Sequence, residues 1–107
     1  MGTSINDLRN LLERVLRCER DDSGDHIRYT LKVNGRVVAK TKYSHSWRGS
    51  TQISAAMLSK QASDMRCSNK LWKALLQGRA SKEDYFRELL QNGHITPEEY
   101  DILCKTR

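Results

Sequence analysis

The chain has 107 residues, 37% of them hydrophobic and 30% charged. That length suits one domain. The apolar share, below the about 45–50% usual for globular domains, predicts amphipathic elements around one thin core. Lysine and arginine number 19 against 13 acidic residues, a net charge of +6, which suits a partner carrying phosphates or carboxylates.

No apolar run approaches the ~18 residues of a membrane span, and no signal-peptide segment opens the chain. A cytoplasmic location without a membrane role is therefore expected. Cys18, Cys67 and Cys104 are far apart and odd in number. They form neither a C-x-x-C pair nor a Cys/His cluster, so they read as reduced thiols and no metal or cofactor is expected.

In chain order, Ser4 caps a first helix with Asp7 three residues on. Ile5, Leu8, Leu11, Leu12, Val15 and Leu16 form its apolar stripe, which predicts a helix to about Arg17. The polar cluster from Asp21 to Asp25 reads as the turn that ends this element. From His26 to Tyr43, alternating residues around Asn34-Gly35 predict a β-hairpin.

The turn length decides which side chains share a face. A two-residue Asn34-Gly35 loop would set Leu31 opposite Val38 and Tyr29 opposite Lys40, mixing lysines into the apolar side. A three-residue loop, Val33-Asn34-Gly35, sets Leu31 opposite Val37, Tyr29 opposite Ala39 and Ile27 opposite Thr41. Burial of one face should select the second register. It gathers Arg28, Lys32, Arg36, Lys40 and Lys42 on the other face.

A loop with His45, Trp47 and Arg48 follows. A second helix is predicted to begin between Ser50 and Ile53, with Ala55, Leu58, Ala62 and Met65 as its stripe. Ser68 opens a third helix carrying Leu71, Trp72, Leu75 and Leu76, which Gly78 ends. Ser81 caps a fourth, with Tyr85, Phe86, Leu89 and Leu90, which Gly93 ends. Thr96-Pro97-Glu98-Glu99 is a capping box with proline at the first helical position, opening a fifth helix with Tyr100 and Leu103. The exposed acids Glu83, Asp84, Glu88, Glu98, Glu99 and Asp101 would repel phosphate, which argues against DNA-groove reading by these helices.

Two places can carry chemistry. The cationic hairpin face can follow a phosphate backbone, although lysines on a strand also guard its edge. In Ser44-His45-Ser46-Trp47-Arg48, His45 is the candidate base for metal-independent RNA cleavage. Arg48, Lys40 and Lys42 would stabilise the phosphorane, and Trp47 would stack on an unpaired base. The alternative is a loop histidine bonded locally, with Trp47 anchoring the loop. His26 is the other histidine near the hairpin, but the chosen register pairs it poorly with His45.

A short helix, a basic β-ribbon, Ser44-His45 at a strand end and then a helix with Ile53, Leu58 and Gln61 resemble the HicA-type toxins. The resemblance implies a double-stranded-RNA-binding-domain-like fold and a ribonuclease that uses one histidine, here His45. It spans roughly the first half of the chain, and Tyr43 stands where that family usually has glycine. The segment Thr41 to His45 is also similar to a Thr-x-x-Ser-His segment of small prokaryotic proteins.

The expected fold is α+β in a single domain over 1–107: an N-terminal helix, an antiparallel hairpin with room for a third short strand, and three or four helices on its apolar face. Residues 1–66 form the helix–hairpin–helix unit, and 68–107 complete the core. The expected function is nucleic-acid binding, RNA ahead of DNA, through Arg28, Lys32, Arg36, Lys40, Lys42, Trp47 and Arg48. The alternatives are a ribonuclease toxin using His45 and a phage or prokaryotic inhibitor or adaptor that meets a protein partner through its helical face.

Overall fold

The computed structural model describes residues 3–44 and 47–106. Helix α1 (Ile5–Asn10) starts at Ser4, whose side chain and Asp7 form a reciprocal capping box. It widens into a π-helical turn over Leu11–Val15, where Leu16 N–H donates to Leu11 O at 2.8 Å. The wider turn sets Leu16 one turn beyond Leu11 and narrows the arc over which Leu11, Leu12 and Leu16, all buried, face inward. Arg17, in the left-handed region (φ 53°), ends the element.

Three antiparallel strands follow in the order β1 (Glu19–Asp21), β2 (His26–Val33), β3 (Arg36–Ser44). The first lies in the stretch between helix and hairpin; Glu19-Arg20-Asp21 is exposed throughout and lacks the apolar alternation that marks a strand. The β2–β3 turn has two residues, Asn34 and Gly35, at φ 50° and 80°. This corrects the three-residue loop expected from the sequence.

Parity is rescued by other means. Val33 pairs with Arg36 and Lys32 with Val37, then the register shifts and Leu31 pairs with Ala39, Tyr29 with Thr41, and Ile27 with Tyr43. Val38 is the extra residue of a β-bulge. The lysines of β3 are thereby kept off the apolar side, as the burial argument requires, but every partner beyond the bulge lies two residues further along β3 than expected.

The apolar face carries Ile27, Tyr29, Leu31, Val33, Ala39 and Tyr43, all buried. α1 and its π turn share their cluster, with Leu8, Leu12 and Leu16. The Tyr29 hydroxyl donates to the Glu13 carboxylate; burial first, and that carboxylate second, raise the Tyr29 phenol well above its ordinary value.

Four helices complete the layer: α2 (Ala55–Asp64), α3 (Asn69–Leu76), α4 (Lys82–Gln91) and α5 (Pro97–Thr106). Ser54, Ser68 and Ser81 cap the first three. α2 lies against β3 and α5 against β2, while α2–α3, α3–α4 and α4–α5 pack in sequence. α2 begins at Ala55 rather than between Ser50 and Ile53, but of its expected stripe Ala62 and Met65 are buried and Leu58 is half-buried. Ala55 is exposed, while Gln61 and Ala62 are buried. Among the described residues, no helix is long and apolar enough to cross a membrane.

Candidate nucleic-acid interface

Directly opposite residues of an antiparallel pair point to the same side. Arg28 is opposite Lys42, and Thr30 is opposite Lys40. These side chains therefore share the face turned away from the core, and the three cations are exposed. Like charges directly opposite one another oppose strand pairing, so this arrangement is no aid to the fold.

Two of the expected cations are engaged elsewhere. Lys32 is on the same face, but its Nζ is 3.2 Å from Glu19 Oε2. Glu19 and Asp21 stand opposite Thr30 and Arg28, so β1 adds acids at one edge of the face. Hydrogen bonds from Ser23 above all, with a smaller contribution from the Arg28 guanidinium, hold the Asp21 carboxyl below its ordinary range.

Arg36 does not belong to the cationic face, which corrects the sequence expectation. It precedes the bulge and stands opposite buried Val33. It reaches α5 instead, with Nε 2.8 Å from Glu99 Oε2, Nη2 2.6 Å from Glu99 Oε1, and Nη2 also donating to His94 O at 3.1 Å. Glu99 accepts from Thr96 N–H as well. The Arg36 hydrogen bonds, followed by that backbone bond, lower its carboxyl to about 2.

The remaining cations meet α2, where β3 is the edge strand. A cleft of about 260 Å³ is lined by Arg28, Thr30, Lys40, Thr41, Lys42, Lys60 and Asp64. Four cations thus face one acid, and among the described residues none of the four makes an ion pair within 4 Å. Thr41 Oγ1 donates to Asp64 Oδ2 at 3.0 Å, which ties α2 to the strand. Lys60 and Asp64, one turn apart on α2, belong to the cleft although nothing in their sequence setting distinguishes them from other polar helix positions.

A second cleft, of about 220 Å³, adjoins the first. The two share Lys42, Lys60 and Asp64, and the second adds His26, Tyr43, Ser44, Trp47, Met57 and Gln61. Trp47 is half-buried and lies parallel to Tyr43, at a centroid distance of 6.3 Å and 9°; Tyr43 in turn lies 6.0 Å from Tyr29 at 17°. The chain leaving Trp47 is held by the N-terminus: Asn6 N–H donates to Gly49 O and Ile5 N–H to Thr51 O, both at 2.9 Å, and Ile53 N–H to Thr3 O at 2.8 Å. The first two bonds satisfy N–H groups of the first turn of α1, and all three deliver α2 alongside β3.

Arg48 is exposed in this loop and lines neither cleft. His45 lies outside the described residues. His26, which the expected register pairs poorly with His45, is paired with Ser44 in the last rung of the sheet. The two-residue displacement beyond the bulge brings it there. Gln61, like Lys60 and Asp64, was not predicted to line a cleft; its signal was a polar residue set within the apolar stripe of α2. Among the described residues, no group of three or more His, Cys, Asp or Glu side chains is placed to hold a metal. No protein-family model matches the chain, and neither a curated protein nor a solved structure matches it.

Proposed function

We propose that this protein binds nucleic acid, RNA ahead of DNA, through phosphates held by Arg28, Lys40, Lys42 and Lys60. The observation that carries this reading is the first cleft, in which four cations converge on one acid without ion pairs among the described residues. Such a site gains free energy from a polyanion by releasing its counterions. The cross-strand Arg28–Lys42 repulsion would be relieved by the same ligand.

The test is retention on RNA or heparin as a function of salt. For a single strand, log K should fall with log salt by roughly 0.7 per phosphate neutralised. Lys40→Glu with Lys42→Glu should weaken binding and flatten that slope. Unchanged retention and slope would end the proposal.

One observation favours a second reading, a metal-independent ribonuclease. His26 and Ser44 share a rung, so a second imidazole stands at the strand end that leads into His45, beside Lys42 and Lys60. In this chemistry the ribose 2′-oxygen bonds to the adjacent phosphorus as a histidine takes its proton. The P–O5′ bond breaks, and the departing oxygen is protonated by a second acid. The order of helix, basic antiparallel sheet, Ser-His and helix also supports the likeness to HicA-type toxins. This reading predicts growth arrest on expression, relieved by His45→Ala and by His26→Ala. Harmless expression of the wild type would reject it.

A further inference from the structure

We infer that the two adjoining clefts receive one nucleotide of single-stranded RNA: its phosphate in the first, a carbonyl-bearing base in the second, and its ribose at Asp64. The inference rests on the reading of the cationic cleft as a phosphate site and goes beyond it by naming the ligand unit.

Gln61 is deeply buried, at 2% relative exposure. Its Oε1 accepts from Trp72 Nε1 at 3.2 Å, which fixes the amide orientation. Its Nε2 has no partner among the described residues, and the residue lines the second cleft. A buried donor left unmade costs stability that a ligand acceptor restores. Met57, one turn earlier on the same helix face, lines the same cleft. Its unbranched side chain can readjust when a base enters.

The cleft wall suits a base. Trp47, parallel to Tyr43, offers an indole on which a nucleobase can stack. A base in a duplex has its edge paired and its faces covered, so only an unpaired one can enter a cleft of about 220 Å³ and reach a donor on its wall.

Asp64 supports RNA over DNA. A carboxylate has the wrong sign for a phosphate site, yet it lines both clefts. Its Oδ2 is held by Thr41, and among the described residues Oδ1 has no hydrogen-bond donor, so it can accept from a hydroxyl. The ribose 2′-hydroxyl is the donor that lies between a phosphate and its base, and it is the group that separates RNA from DNA.

The experiment compares oligo(U), oligo(dU), blunt RNA duplex and inorganic polyphosphate at one salt concentration, by affinity and by tryptophan fluorescence. Oligo(U) should bind tightest and quench Trp47. Trp47→Leu should weaken oligo(U) by roughly tenfold or more while leaving polyphosphate unchanged. Asp64→Ala should remove the preference of oligo(U) over oligo(dU). Gln61→Glu keeps the acceptor for Trp72 and removes the donor, and should weaken oligo(U) alone; if thermal melting shows this variant unfolded, Trp47→Leu decides the matter. Equal affinity for duplex and single strand, or equal weakening of all four ligands by Trp47→Leu, would overturn the inference and leave the phosphate site standing. Indifference of every ligand to Lys40→Glu with Lys42→Glu would instead remove the phosphate site itself.

Discussion

At the scale of single residues, Glu99 joins two jobs: it closes the capping box of α5 and takes the Arg36 guanidinium. Its carboxyl is lowered to about 2 from an ordinary 4.5. Its contribution is therefore fully present above about pH 4.5 and is lost as pH falls through about 2. Wild type should exceed Glu99→Gln in stability at neutral pH by about 1 kcal/mol or less, since Arg36 is half exposed and solvent screens the pair. Urea unfolding at neutral pH and near pH 2.5 should show that gap closing; a gap independent of pH would disprove the assignment.

Tyr85 makes a different kind of bond. Its hydroxyl donates to Met65 O at 2.8 Å in the buried core, and burial drives its phenol well above the ordinary value. Tyr85→Phe leaves that carbonyl without its donor and should cost about 1–3 kcal/mol in urea unfolding. Lys42 behaves in the opposite sense. Replacing it with glutamate turns the Arg28 pairing attractive, so the fold should gain about 0.2–1 kcal/mol while nucleic-acid affinity falls. A thermal melt and a binding curve on the same sample separate the two effects.

At the scale of elements, β3 shows how a turn and a bulge divide one task. Asn34-Gly35 forms the tight turn that its sequence favours, and by itself that turn would bring lysines into the core. The extra residue at Val38 restores the alternation, because burying the tyrosines and leucine outweighs the local loss of ladder pairing. Gly35 has φ 80°, and no atom lies within 4 Å of the place a methyl group would take there. Gly35→Ala should therefore cost about 1–2 kcal/mol through backbone strain alone, visible as a lower melting temperature with RNA affinity intact. The π turn in α1 is a comparable adjustment. It adds one residue to a turn so that neighbouring leucines point the same way.

At the scale of the whole molecule, one hydrophobic cluster runs from Leu12 through Tyr29 and Trp72 to Leu103. Leu12→Ala and Leu103→Ala, both at fully buried positions, should each cost about 2–5 kcal/mol. Each should lower the midpoint of one shared transition, followed by fluorescence and by circular dichroism. Two separated transitions would mean that the sheet and the last helices hold independent cores. The charge distribution is likewise a property of the whole. Acids from β1 and α5 take Lys32 and Arg36, and the cations left over converge where β3 meets α2.

Most of the elements were legible in the amino-acid order because their signals are local. Ser54 aside, the helix caps at Ser4, Ser68, Ser81 and Thr96 could be read from residues within one turn, as could the stops at Gly78 and Gly93. The hairpin followed from Asn34-Gly35, and the cationic face from the requirement that one side be buried. Tertiary structure alone decided the bulge, the pairing of His26 with Ser44, the capture of Arg36 by Glu99, and the entry of Lys60, Gln61 and Asp64 into the clefts. The last three join residues distant in the chain, and the bulge answers to the core that those distant residues build. Their proximity is set by packing a whole face at once, and no window of neighbouring residues contains that constraint.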